Sequence, residues 1–307
     1  VRPSNPTARV VAVLDFLIAH PLDRFGLSEL ARAVGIAKAT CLSVLNTLVE
    51  AGYVLQHPKS RTYSLGAALA SVTAALDQRF PEVARCRPAL EGLAADIGIQ
   101  CVLVAAVEDQ MVVLDSVGSP DPLAGVSRVG ARVPLAPPFG ASLVAWSEPK
   151  AFDGWLARAA PPLGEEEVAS MRASVREARR RGYVVTRGLA RDDELRRSID
   201  ELRRSYDSEV FPRRAEELSE RLRRIGYFID EIVPEETYHV NNVAAPVRHG
   251  GSVPLAFLAP GFGWKVTGRE LVAAADRVLA ATDAAGEALA LPGPGSGPGA
   301  GSGSGSL

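Results

Sequence analysis

The stretch from Gly26 to Leu48, GLSELARAVGIAKATCLSVLNTL, constrains this chain more than any other, because two short helical periods meet there with a glycine between them. Ser28 is placed to cap the first helix, its hydroxyl taking an unpaired backbone N–H, and Glu29 adds negative charge to the first turn. Leu30, Ala31 and Val34 supply the buried face. Gly35 ends it, since the left-handed conformation costs glycine little. The period restarts at Ala37, with Cys41, Val44, Leu45 and Leu48 on one stripe and Ala39, Ser43, Asn46 and Thr47 opposite. Lys38 and Thr40 lie near its start. Small and polar side chains suit close approach to a DNA groove, so the segment is read as a helix-turn-helix.

The flanks support that reading. Asn5-Pro6 marks a helix start, and Val10, Val13, Leu14 and Leu17 give it an apolar face that ends at His20-Pro21. Beyond the second helix, Tyr53 to Gln56 and Thr62 to Leu65 read as strands joined by the turn Pro58-Lys59-Ser60, a wing whose tip carries Lys59 and Arg61. Residues 1–66 hold seven basic side chains against four acidic ones, a surplus of +3 within a chain of net charge −2. The candidate DNA contacts are therefore Ser28, Lys38, Ala39, Thr40, Ser43, Asn46, Thr47, Lys59 and Arg61.

The 307 residues suggest about two domains. The boundaries expected are a DNA-binding domain over 1–65, a linker helix over 66–81 broken at Phe80-Pro81, a second domain over 82–291, and a flexible Gly/Ser/Pro tail over 292–307. In the second domain, Glu82 to Asp96 is amphipathic, and Gln100 to Val107 with Gln110 to Val117 reads as a hairpin about Glu108-Asp109. VSRVGARVPL reads as a further strand interrupted by Gly130, and PPFGASLVAW as a buried helix. Glu165 to Arg181 is a charged helix stopped by Gly182-Tyr183. Tyr238 to Val247 and Val253 to Leu258 read as strands, and Thr267 with Glu270 forms a capping box for a last helix. The fold class is α+β.

A helical pair falls between the two Gly-Tyr stops. Leu195, Ile199, Leu202 and Tyr206 form one stripe, and Leu218, Leu222, Ile225 and Ile229 form another. The stripes serve either to cover their own domain or to meet a partner chain.

No catalytic pattern emerges. The four histidines are scattered, Gly261-Phe262-Gly263 lacks the rest of a dinucleotide loop, and Gly140-Ala141-Ser142 is not a nucleophile elbow. Cys41, Cys86 and Cys101 lack metal or disulfide spacing and read as buried free thiols, with Cys101 weighed also as a nucleophile. Asn241 and Asn242 sit in an apolar strand, where their amides either bind a ligand or satisfy neighbouring backbone. No metal, no cofactor and no membrane partner is expected, and the absence of a long apolar run or a leader pattern points to a cytoplasmic protein.

GLSELARAVGIAKATCLSVLNTLVEAGYV with its wing resembles the N-terminal domain of the IclR family of bacterial transcription regulators, and VGARVPL, the helix after it and NNVAAPV resemble that family's effector domain. The resemblance implies a winged helix-turn-helix, a dimerising linker helix and a GAF-like domain that binds a small organic effector. It also implies a homodimer or homotetramer acting on double-stranded operator DNA. Mapped here, the candidate effector residues are Phe139, Gly140, Ala141, Asn241 and Asn242. Four departures stand out. Ser43 replaces a common arginine, Ala136-Pro137-Pro138-Phe139 replaces a segment with histidine and small polar residues, and Asn242 replaces a cysteine. The helical pair, about 186–226, behaves as an insertion. Two other readings remain: a ligand-independent DNA binder with a self-filled pocket, and an enzyme acting on a small acid or amide.

Overall fold

The computed structural model describes residues 5–118, 129–188, 211–224, 226–250 and 255–291. The chain divides into two compact units, Val1–Pro81 and Glu82–Leu307.

The first unit contains α1 (Asn5–Ala19), α2 (Leu27–Val34), α3 (Lys38–Glu50), β1 (Val54–Gln56), β2 (Tyr63–Leu65) and α4 (Ala68–Arg79). Helices α2 and α3 meet at a bend of 109°, the angle range of a helix-turn-helix. Gly35 makes the turn at φ 72°. Val13 and Leu17 of α1, Leu30 and Ala31 of α2, and Cys41, Leu45 and Leu48 of α3 close one core, to which Val54 and Tyr63 add the hairpin. Phe25 exchanges both backbone hydrogen bonds with Tyr63, which ties the entry to α2 to the hairpin. No single described helix is long and apolar enough to cross a membrane.

One sequence expectation fails at α2. The helix starts at Leu27 with Gly26 as its cap, so Ser28 is a first-turn residue with its side chain exposed. Glu29 does the capping instead, its carboxylate accepting the Gly26 N–H at 2.6 Å. A carboxylate three residues into a helix reaches back to the cap amide whatever residue occupies the cap, and that reach outcompetes a serine hydroxyl one turn position too late.

The second unit is built on one antiparallel six-stranded sheet, in the order β5 (Arg132–Pro134), β4 (Gln110–Val117), β3 (Cys101–Val107), β8 (Leu255–Thr267), β7 (Thr237–Val247) and β6 (Val184–Arg187). Alternate residues face opposite ways along a strand, and both faces are buried. Leu103, Ala105, Phe257 and Ala259 point into a core with α5 (Pro81–Ile97) and α10 (Gly268–Ala290). Val102, Val104 and Ala256 point into a second core with α6 (Ala141–Val144), α7 (Pro149–Ala157) and α8 (Glu165–Arg181). That two-sided burial explains the near-continuous apolar run of β3.

Local chemistry sets the helix ends. Thr267 and Glu270 form the reciprocal capping box, with the Glu270 N–H on the Thr267 hydroxyl at 3.3 Å and the Thr267 N–H on the Glu270 carboxylate at 2.8 Å. Gly286 lies mid-helix in α10 because a Cβ there would meet the Arg248 carbonyl oxygen at 2.4 Å. Glutamates 165–167 open α8 and arginines 179–181 close it, each sign complementing the helix dipole, and Gly182 stops it at φ 91°.

Several expected boundaries shift. The PPFGASLVAW helix contracts to the four residues of α6. Strand β8 runs on to Thr267, so Gly261 and Gly263 are strand residues. Between the Gly-Tyr stops, Leu195, Ile199, Leu202 and Tyr206 of the first stripe and Ile225 of the second lie outside the described residues. The following helix, α9 (Phe211–Arg224), ends before Gly226, and Ile229 is not on its stripe. Instead Phe228 bridges to Thr186 and the Ile229 N–H donates to Val185, so this stretch extends the sheet beside β6. Gly226 at φ 71° breaks the helical period before Ile229 can join it. The Thr186 and Arg187 end of the expected insertion belongs to β6.

All three cysteines are free and buried. Burial pushes the Cys86 and Cys101 thiols up to about 12, leaving each a core residue without nucleophilic character. Asp115 on β4 is also buried, receiving Arg87 at 2.7 Å and the Ser116 N–H at 2.8 Å on one oxygen. Its second oxygen is buried without a partner, and burial holds the carboxyl above its ordinary range.

A raised carboxyl stabilises the fold fully below the ordinary aspartate range and loses that contribution as pH rises through the raised value. Asp115→Asn keeps an acceptor for Arg87 and Ser116 without a buried charge. Its melting temperature, relative to the parent, should therefore improve as pH rises from about 3.5 toward neutrality; a pH-independent difference would contradict the account. Thr267→Ala, which removes the cap of α10, should cost about 1 kcal/mol in denaturant unfolding.

Candidate functional site

Two features carry candidate chemistry, one in each unit. In the first, α3 buries Cys41, Leu45 and Leu48 and so turns its other face outward. Lys38, Ala39, Ser43, Asn46 and Thr47 are exposed and Thr40 is half-buried. Ala39, Ser43 and Asn46 form a single ridge by their spacing. The Thr47 hydroxyl donates to the Ser43 carbonyl at 3.2 Å, which fixes its rotamer and leaves its oxygen free to accept. Leu42, 38% exposed, stands on this same face and was not among the sequence candidates. An apolar side chain at such a position matches a thymine methyl. The only sequence signal for it was a leucine off the buried stripe.

The wing tip is cross-braced. The His57 N–H donates to Thr62 at 2.8 Å and the Arg61 N–H to the His57 carbonyl at 2.9 Å. The Ser60 N–H donates to His57 Nδ1 at 3.2 Å, and the Ser60 and Thr62 hydroxyls meet at 2.8 Å. Arg61 adopts a left-handed φ of 55°, a conformation in which a non-glycine residue is held by its surroundings. Lys59 and Arg61 are both exposed there. Ser28 is exposed on α2, in its first turn, away from the cap role expected for it.

In the second unit a small cavity opens on the α6–α8 face of the sheet. Its volume is about 40 Å3. The loop before α6 forms one wall. Trp155 Nε1 donates to the Phe139 carbonyl at 2.8 Å, and the buried Ser219 hydroxyl of α9 donates to the Pro137 carbonyl. Gly140 turns the chain into α6 at φ 76°. Phe139, Gly140, Ala141 and Ser142 then line the cavity, as does Pro138.

The opposite wall comes from the sheet, and a bulge shapes it. Register between β6 and β7 shifts between Thr186, which pairs with Asn242, and Arg187, which pairs with Val240, so Asn241 is an extra residue. Val240 and Val243 consequently both face the α5/α10 core, leaving two successive asparagines between them. Asn242 lines the cavity with Thr186, Val184 and Ala244. Asn241 donates to the Thr186 hydroxyl and to the Tyr227 hydroxyl, each at 3.3 Å, and the Asn242 N–H donates to the Thr186 hydroxyl at 3.2 Å. Tyr227 also lines the cavity, edge-on to Phe139 with ring centroids 6.3 Å apart. Burial pushes its hydroxyl up, opposed by hydrogen bonds from Thr186 and the two asparagines.

All five sequence candidates for this site thus gather: Phe139, Gly140, Ala141 and Asn242 as lining, and Asn241 through the Tyr227–Thr186 network. Sequence reasoning missed Tyr227, Thr186, Ser142 and Met111, which also line it. Ser142 sits in the motif that had been considered for a nucleophile elbow, and Tyr227 in the second Gly-Tyr stop, so both were visible as residues but not as neighbours.

Residues 6–58 match the family model of the IclR helix-turn-helix domain. Two relatives named glycerol operon regulatory protein are similar: one from Streptomyces griseus, 33% identical over 123 residues, 39% of this chain and 47% of the relative, and one from Streptomyces coelicolor, 31% identical over 119 residues with the same two coverages. The chain spans about half the length of the curated relatives it matches. Among solved structures, the IclR protein of Thermotoga maritima superposes with a TM-score of 0.54 at 18% identity, covering 94% of this chain and 99% of that one, a likeness of fold.

Gly140→Ala tests the pocket wall, since its left-handed turn carries a penalty of about 1–2 kcal/mol for a residue with a Cβ. A Cβ there would also meet Cδ1 of the buried Leu135 at 2.2 Å, so the expected outcome is a loss of at least that size in urea unfolding.

Proposed function

We propose that this chain is a transcription regulator of the IclR family that binds operator DNA through α3 and its wing and answers to a small organic effector in the second unit. The observation that carries the reading is the outward ridge of α3 beside a braced, basic wing tip within the matched helix-turn-helix domain. In this reading α3 enters the major groove. Ala39, Ser43, Asn46 and Thr47 face base edges, with Leu42 beside them. Lys38, Thr40, Lys59 and Arg61 hold backbone, and Ser28 touches phosphate from the first turn of α2.

The ridge is nearly uncharged, so tight binding requires more than one copy of it. A homodimer, or a homotetramer, would supply two half-sites and double the phosphate contacts. The bound species is a regulator and not an enzyme. The name of the two Streptomyces relatives, glycerol operon regulatory protein, supports control of an operon. An effector can change DNA affinity only as far as it prefers one arrangement of the chain over another, which makes the mechanism a population shift. A second reading, an unliganded regulator whose pocket is filled by its own Phe139 and Tyr227, draws on the small volume of the cavity.

Fluorescence anisotropy on genomic fragments recovered with the protein, and on random DNA, separates the assigned roles. Lys59→Ala should weaken both and flatten the salt dependence of log affinity by about 0.9. Asn46→Ala should cost about 1–3 kcal/mol on the recovered fragments only. Equal loss on both DNAs would remove Asn46 from base reading.

A further inference from the structure

We propose that the cavity takes a small uncharged ligand bearing hydroxyl or amide groups in preference to a carboxylate. The inference rests on reading this cavity as the effector site and names the chemistry of its ligand.

The polar groups around the cavity are a hydroxyl and amide set: Tyr227, Thr186, Ser142, Asn241 and Asn242. Their mutual hydrogen bonds are all long. Asn241 reaches Thr186 and Tyr227 at 3.3 Å, the Asn242 N–H reaches Thr186 at 3.2 Å, and Thr186 reaches the Asn242 carbonyl at 3.5 Å. Well-formed bonds of these types centre near 2.8–3.0 Å, so each contact in the network is long by a few tenths of an ångström. A hydroxyl or primary amide both donates and accepts. Placed in the cavity, it can shorten these contacts without leaving any buried group unmet.

A carboxylate accepts only, and it would enter this site at the cost of its hydration. Among the described lining residues Tyr227 is the group that titrates, and burial holds it neutral. Among the described residues, arginines that reach the surrounding backbone are held there: Arg158 donates to the Leu135 carbonyl, Arg179 to Ala145, Arg187 to Gly226 and Arg223 to Pro161. Arg223 is in addition paired with Glu167 at 3.3 Å. The volume of about 40 Å3 is worth roughly three waters, which suits a compound of a few heavy atoms.

Lactamide and lactate share a skeleton and differ in charge, which makes them the comparison, with propane-1,2-diol as a hydroxyl-only probe. Titration of the full chain by isothermal calorimetry should show saturable binding of lactamide or the diol, with lactate weaker by about tenfold or more. Tyr227→Phe and Ser142→Ala should each weaken the neutral probe by roughly three- to tenfold, the worth of one hydrogen bond. Should Tyr227→Phe fail to fold, Ser142→Ala decides alone. Lactate binding as tightly as lactamide, neither neutral probe saturating at millimolar concentration, or an unchanged affinity in the folded variants would each overturn the proposal. Anisotropy on recovered DNA run in parallel keeps the two readings apart: lactate binding that shifts DNA affinity retains the effector role and discards this ligand class, whereas lactamide binding with no effect on DNA does the reverse.

Discussion

A single extra residue in β7 organises the second unit. An ideal strand would send Asn241 and Asn242 to opposite faces, turning one amide toward the apolar core that holds Leu103, Phe257 and Leu271. The bulge at Asn241 sets both asparagines between two core valines, Val240 and Val243, and brings the Asn241 side-chain amide and the Asn242 backbone N–H to the Thr186 hydroxyl. The rest follows from that geometry. Tyr227 has a hydrogen-bond partner at full burial, the Phe139 loop has a ring to pack on, and a polar corner survives inside an otherwise apolar layer.

Around that corner the walls are held by side chains from distant parts of the chain. Trp155 and Ser219 each donate to a carbonyl of the Pro137–Phe139 loop. Helix α9 thus serves the pocket through Ser219 and the residues just past its end, and its Leu218 and Leu222 are buried. Of the two uses weighed for the second apolar stripe, these contacts fit coverage of its own unit. Arg223 adds a tether to Pro161 and Glu167.

The first unit solves a different problem with fewer parts. Its core takes one face of each helix, and the face of α3 left over is small, polar and nearly uncharged apart from Lys38. Charge for DNA sits instead at the wing tip, where His57, Ser60 and Thr62 brace the loop that presents Lys59 and Arg61. Separating base reading from phosphate anchoring in this way makes the two roles independently adjustable.

Features that depend on near neighbours in the chain were legible in the residues alone. The α2–α3 turn at Gly35, the hairpin about Glu108-Asp109, the capping box of α10 and the exposed face of α3 all rest on periodicity, left-handed glycines or contacts within four residues. Even the local misreading at Ser28 was a contest between two caps two residues apart, which Glu29 won by reach. Register and distant partners settled the rest in three dimensions: that β7 bulges against β6, that Ile229 leaves its helical stripe to pair with Val185, and that Tyr227, Thr186 and Asn241 meet. A bulge has no sequence period of its own, and a hydrogen bond spanning 55 residues is set by how two strands align. That alignment is chosen by the whole buried sheet at once.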